Sequence, residues 1–314
     1  MALASEPEFH YDRVTAAWNY LIGEDLHFGY FAGPAGTLPE ATQALTQIMA
    51  QRASVSAGME VLDVGCGTGH PALFLARQLG CHVTGISTSR VCVEQAQRRA
   101  AALGVGDIRF QVADGTAMDF AGQSFDCVWV METAHLIAQK DRLLRECVRV
   151  LRPGGRLALC DIVLRREIPL AEVLKLRRDL MTLQVSFGRA KLEPFETYAR
   201  LVRELGLRAE IEDISERVVP TVAHWRRNAE LHAAEVEQIL GPEELRDFRQ
   251  SCDILTRFWQ EGRLGYILLV ATKPGRPAAK ARAMHRNGTV AGRTPTRRQT
   301  TGSRPGSTRT SVIP

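Results

Sequence analysis

Val61-Leu-Asp-Val-Gly-Cys-Gly-Thr-Gly69 joins an apolar run closed by an acidic residue to three glycines at alternating positions. The run reads as a buried strand, and the glycines as a tight turn at a helix N-terminus where a ligand can lie against backbone N–H groups. A dinucleotide fingerprint would place another glycine three residues after Gly67, where this chain has His70. Asp63, two residues before Gly65, also opposes a pyrophosphate, because a carboxylate repels phosphate and attracts an ammonium group. The turn therefore points to a zwitterionic ligand of net positive charge.

Outward from this turn, strand-like and helix-like runs alternate. Strands are predicted at 60–64, 82–87, 108–113, 125–130, 156–163, 209–214 and 265–272, with amphipathic helices at 38–53, 71–79, 89–103 and 141–151 between them. In the last of these helices Leu143, Leu144, Cys147, Val148 and Leu151 share one stripe, and Pro153-Gly154-Gly155 supplies a stop. Such alternation predicts an α/β fold, a parallel sheet with helices on its faces. Two further helical segments, 168–187 and 221–259, follow the fifth and sixth strands on the side where open α/β sheets bind ligands, and read as a lid. The expected organisation is an N-terminal helical cap at 1–57, a core with its lid helices at 58–273, and a basic tail at 274–314.

The 314 residues, 45% hydrophobic and 24% charged, describe an ordinary soluble protein. No apolar run reaches spanning length and the N-terminus lacks the order of a signal peptide, so a cytoplasmic location and no membrane partner are expected. Seven scattered cysteines without a C-x-x-C pair suggest small buried hydrophobes and no metal site. The net charge of +5 comes from the tail: residues 273–314 hold ten Lys or Arg and no acid, so residues 1–272 are mildly acidic. A basic tail without interleaved aromatics is weak evidence for nucleic acid, and no nucleic-acid partner is expected. Its composition predicts disorder.

Seven segments taken in order resemble the class I methyltransferases. They are Asp25-Leu-His-Phe-Gly-Tyr-Phe31, Val61 to Gly69, Val83-Thr-Gly-Ile-Ser-Thr-Ser89, Ala113-Asp114, Ser124-Phe-Asp-Cys-Val-Trp129, Arg149-Val-Leu-Arg-Pro-Gly-Gly-Arg156 and Cys160-Asp-Ile-Val163. Within that family the chain is most similar to bacterial natural-product and sugar O-methyltransferases of the rebeccamycin type. The resemblance implies a Rossmann-like, seven-stranded, mostly parallel sheet whose final strand is antiparallel. It also implies S-adenosyl-L-methionine as cofactor and a small-molecule acceptor.

Gly65, Gly67 and Gly69 would then admit the methionine moiety, with Asp63 facing its ammonium group. Ser87 is placed to bond the ribose; many family members have an acidic residue near this position, and Cys92 stands where the nearest relatives tend to have glutamine. Asp114 is a candidate for the adenine amino group, although Asp-Gly is also a common turn pair. His27, Phe28, Tyr30 and Trp18 are candidates for an aromatic wall around the sulfonium, with packing an equal reading for Trp18.

If the acceptor is a hydroxyl, a proton must leave, and a neutral histidine suits that task near pH 7. His135, just beyond the fourth strand, is the candidate base, and Asp161 the residue that orients it or polarises the hydroxyl. Relatives usually carry two adjacent histidines here, and Leu136 replaces the second. Glu132 reads as lining the methionine pocket or as a structural hydrogen-bonding residue. The expected function is O-methylation of a secondary metabolite. The alternatives are N- or C-methylation of an electron-rich acceptor such as an indole, or a cyclase or decarboxylase on the same fold. The sequence leaves the oligomeric state open.

Overall fold

The computed structural model describes residues 7–33 and 35–275, with side chains from Val14 onward. Apart from residues 274 and 275, the expected disordered tail lies outside the described residues.

Seven strands, β1 (Glu60–Val64), β2 (His82–Ser87), β3 (Ile108–Val112), β4 (Phe125–Met131), β5 (Leu151–Leu164), β6 (Arg208–Asp213) and β7 (Leu264–Thr272), form one sheet in the order β3-β2-β1-β4-β5-β7-β6. Strands β1 to β5 pair in parallel, and β7 runs antiparallel to both β5 and β6. The fold is the expected Rossmann-like, mostly parallel one. Near-continuous apolar runs in β1 and β4 follow from burial of both sheet faces. Because β1 and β4 are neighbours while the chain winds outward from each in opposite directions, a crevice opens beyond their C-terminal ends.

Local chemistry sets the helix boundaries. Before the sheet come α1 (Pro7–Leu21) and α2 (Leu38–Arg52), the latter started by Thr37 and Glu40 in a reciprocal capping box. Helix α3 (His70–Leu79) ends at Gly80, whose φ of 69° most residues avoid. The Ser89 hydroxyl caps α4 (Arg90–Ala102) by accepting from Cys92 N–H at 3.1 Å.

The Pro-Gly-Gly segment corrects the sequence reading. Helix α5 (Lys140–Val150) ends before it, and Pro153, Gly154 and Gly155 lie inside β5, which starts at Leu151 rather than 156. The pairing with β4 shifts register between Phe125 and Cys127, so an irregularity absorbs the proline's missing N–H and Gly154's φ of 84°. The buried stripe of α5 is Leu143, Leu144, Cys147 and Val150, with Val148 only half-buried.

After β5 come α6 (Leu170–Lys175), α7 (Arg177–Phe187) and α8 (Phe195–Glu204). Between β6 and β7 lie α9 (Ser215–Val218), α10 (Pro220–Leu231), α11 (Ala233–Leu240) and α12 (Pro242–Gln260). Helix α12 packs on α7 and α10, which joins the two predicted lid segments into one layer. All seven cysteines are buried, and none is in a disulfide. Among the described residues no helix is long and apolar enough to cross a membrane, and no cluster of His, Cys, Asp and Glu could hold a metal ion.

Candidate active site

The three glycines after β1 all have positive φ, at 80°, 50° and 86°, but for different reasons. A Cβ on Gly65 would sit 2.0 Å from the Thr133 hydroxyl, so this glycine lets the loop after β4 close onto the loop after β1. A Cβ on Gly69 would meet Ala96 and Phe110 within 3 Å, so Gly69 serves packing against α4 and β3 and not a ligand. Only at Gly67 is the added volume open. Gly65 and Cys66 N–H both donate to the Ile86 carbonyl, and Gly69 N–H to that of Cys66, so of the three glycine amides Gly67's is the one left unused.

Gly65 and Gly67 border a cavity of about 370 Å³ walled by Ser87, Cys92, Asp114 and Thr133. Its size suits a nucleoside-sized ligand. Ser87 Oγ accepts from Ser89 N–H at 3.2 Å and keeps its own hydrogen for a ligand. Asp114 accepts both the N–H and the hydroxyl of Thr116, at 2.7 and 2.9 Å, so it locks the turn as well as bordering the cavity. These groups fit the cofactor implied by the resemblance: an open glycine floor, a free hydroxyl donor and an acceptor at the far rim.

Other predicted cofactor residues lie elsewhere. Asp63 does not border the cavity; strand alternation turns it from Val64, which does, toward the face holding Cys127 and Trp129. It is buried there, one carboxylate oxygen has no partner among the described residues, and burial pushes its pKa up to about 7. His27 is also buried, with Nδ1 2.7 Å from the Phe28 carbonyl and Nε2 3.5 Å from the Thr46 hydroxyl, and borders neither this cavity nor the next. By Tyr30 the chain has moved on to α2, through Tyr30 N–H to the Ala41 carbonyl, and its ring lies 6.0 Å from the Arg217 guanidinium in a separate depression. The expected aromatic wall is thus reduced to Phe28 and Trp18, and those two face a second cavity.

That second cavity, about 730 Å³, lies under α6 and α7 and between them and α10 and α12. Phe28, Phe187, Trp225 and Phe258 make much of its wall. The two cavities share Leu26, Glu132 and Ala138. Glu132 has a φ of 46°, unusual for a residue with a side chain. Its Oε1 accepts from Phe28 N–H at 2.7 Å and from the Tyr266 hydroxyl at 2.6 Å. Burial raises the carboxyl's pKa even so, against these hydrogen bonds and the nearby His27.

His135, in a short 3-10 turn after β4, borders the second cavity. Asp161 on β5 accepts from its Nδ1 at 2.7 Å and from its backbone N–H at 2.8 Å, and from Ile162 N–H at 2.8 Å. A carboxylate only accepts, so the proton sits on Nδ1 and Nε2 is the basic nitrogen. Burial disfavours the imidazolium, but the charge and hydrogen bond of Asp161, with Glu132, outweigh it and raise the histidine's pKa.

Sequence reading missed Lys140. Though only 4% exposed, its ammonium donates to the carbonyls of Ile137 (2.8 Å) and Lys191, while Lys191 N–H donates to the carbonyl of His135. Burial lowers its pKa. The lysine pins the histidine turn to the segment between α7 and α8, a contact across some fifty residues that no local pattern announces. Its position in the first turn of α5 offered only a solvent-facing lysine to the eye.

Comparison with known proteins supports the family resemblance. The methyltransferase-domain family matches residues 61–155. The chain is 36% identical to 27-O-demethylrifamycin SV methyltransferase of Amycolatopsis mediterranei (strain S699), over 84% of this chain and 95% of that one. It is 35% identical to the methyltransferase GfsG of Streptomyces halstedii, over 87% and 96%. Its structure is similar to that of the [4+2]-cyclase SpnF, with a TM-score of 0.72, 27% identity, and coverage of 85% of this chain and 95% of that one.

Proposed function

The chain belongs to the S-adenosylmethionine-dependent methyltransferases, and on that premise we propose that it O-methylates a small-molecule secondary metabolite with His135 as general base. One observation carries the reading: a nucleoside-sized cavity and a larger apolar cavity meet at Leu26, Glu132 and Ala138, and the histidine–aspartate pair borders the apolar one. The similarity to a relative named for 27-O-demethylrifamycin SV supports an oxygen acceptor. The finer placement beside the rebeccamycin-type enzymes is part of the same proposal.

When bound, S-adenosylmethionine supplies a methyl group made electrophilic by its positively charged sulfur. Gly65 and Gly67 would form the floor for its amino-acid end, Ser87 would donate to the ribose, and Asp114 would accept from the adenine amino group. Asp161 fixes the ring of His135 so that Nε2 takes the acceptor's hydroxyl proton. The apolar wall of the second cavity holds the acceptor in line and excludes water, which is most of what a displacement with a neutral leaving group requires.

Similarity to the [4+2]-cyclase favours one second reading, in which the covered cavity shapes a cyclisation and the cofactor is not consumed. Leu136 in place of a second histidine keeps N- or C-methylation of an acceptor such as an indole as the other. Mass spectrometry of candidate metabolites incubated with enzyme and methyl-labelled donor, beside His135→Ala, separates the three. The proposal expects a heavy methyl on oxygen and its loss in the variant; a changed substrate without label, or label on nitrogen or carbon, refutes it.

A further inference from the structure

The polar side chains of the apolar cavity divide into those already matched and those not. Glu132 is engaged by Phe28 and Tyr266, His135 by Asp161, Arg263 by Glu172 and Glu261, and Glu193 by the Thr197 hydroxyl at 3.5 Å. Gln184, Arg189 and Lys191 also border the cavity, and among the described residues their side chains make no hydrogen bond or ion pair. Trp225 adds a buried indole N–H without an acceptor. The unmatched groups are therefore mostly donors, and two of them are cations.

These cations are carried on an anchored backbone. Gly188 N–H donates to the Gln184 carbonyl, Lys191 N–H to that of His135, and the Lys191 carbonyl receives the Lys140 ammonium. The charged segment is thereby tied to the turn that bears the imidazole.

We propose that the acceptor is an amphiphile: an apolar body with its hydroxyl at His135 and a carboxylate that pairs with Arg189 and Lys191. The inference rests on the methyltransferase reading of this cavity. A wholly apolar molecule would leave the half-buried Lys191 ammonium and the buried indole N–H without a match, which is unfavourable. A carboxylate satisfies both cations at once, with the flat guanidinium able to meet two oxygens and the Gln184 amide offering another donor. A carbonyl or ether oxygen of the body meets Trp225. Glu193 opposes an anion, but it is one charge against two and already accepts from Thr197. Arg189 is exposed and Lys191 half-buried, so this end lies toward solvent and its pull is screened by salt.

Titration calorimetry on the full chain with S-adenosylhomocysteine present tests this, using omega-hydroxydodecanoic acid and its methyl ester, which differ by one charge. The acid is expected to bind about tenfold more tightly, with the ratio shrinking in high salt and falling to about one in Arg189→Ala/Lys191→Ala. Equal affinities, a preference that survives in the double variant, or an acid that does not bind each overturn the proposal. Mass spectrometry of parallel mixtures in which methyl-labelled S-adenosylmethionine replaces S-adenosylhomocysteine keeps the two readings apart. An acid bound but never methylated refutes methyl transfer and leaves the recognition intact, whereas a methylated ester with no preference for the acid does the reverse.

Discussion

Asp161 holds His135 twice, accepting from the ring Nδ1 at 2.7 Å and from the backbone N–H at 2.8 Å, and is itself completely buried. The double attachment fixes both the place of the residue and the direction of its ring, beside the larger cavity that His135 borders.

A base must be neutral to act, and the Asp161 carboxylate makes this imidazole keep its proton to higher pH than an ordinary histidine. The acid limb of the pH–rate profile is therefore expected above about 6.5. Asp161→Asn removes the charge and moves that limb to lower pH, with a reduced maximal rate because the amide no longer selects the tautomer. His135→Ala lowers kcat by about 10²–10⁴-fold while S-adenosylhomocysteine binds as before. A profile unchanged in Asp161→Asn argues against the pairing.

Lys140 acts on the same imidazole in the opposite sense, since its positive charge disfavours the imidazolium. Lys140→Met is expected to shift the acid limb upward. It also strips two part-buried carbonyls of their donor, which costs up to about 1–3 kcal/mol for each one left unsatisfied. A melting temperature and limb both equal to the parent's would show the ammonium to be incidental.

Buried Asp63, with a pKa of about 7, makes the fold sensitive to pH independently of catalysis. Between the unfolded carboxyl's value near 3.9 and about 7 the folded chain binds the extra proton, so this group's contribution to stability falls as pH rises through that window and is least above it. Asp63→Asn removes the penalty. Its melting temperature should exceed the parent's at pH 8 and approach it near pH 4; a variant less stable at pH 8 would mean that the carboxylate has a partner.

The glycines separate by experiment as they do by geometry. Gly65→Ala drives a methyl into Thr133 and is expected to destabilise the protein by about 1–3 kcal/mol from overpacking, with backbone strain in addition. Gly67→Ala meets open space, carries the strain alone, about 1–2 kcal/mol, and puts its methyl at the cavity proposed for the cofactor. Thermal melts should rank Gly65→Ala as less stable, and calorimetry should show weakened S-adenosylhomocysteine binding in Gly67→Ala. Equal melts and unimpaired binding would remove the distinction.

Much of the architecture was legible before any coordinates. The strands of a parallel sheet and the glycine turn follow from apolar runs broken at regular intervals, because burial on both sheet faces leaves that mark on the residues; the antiparallel direction of the last strand was implied only by the family resemblance. The Pro-Gly-Gly segment misled for a related reason: its residues stop a helix and equally make an irregular strand start, and only pairing with β4 selects the second. His27 and Tyr30 stand in a motif with Phe28, yet neighbours along an irregular segment point in different directions, and the one that reaches the cavity is Phe28.

The order of residues settled the strands and the glycine turn, because each depends on local periodicity or on where a strand ends, while the family resemblance singled out His135 and Asp161. Three-dimensional packing alone assigned a separate reason to each glycine, drew Lys140 and the 188–193 segment onto His135, and left Arg189 and Lys191 bordering an apolar hollow. Those arrangements join stretches far apart in the chain, and a side chain's surroundings there are set by the elements that fold against it.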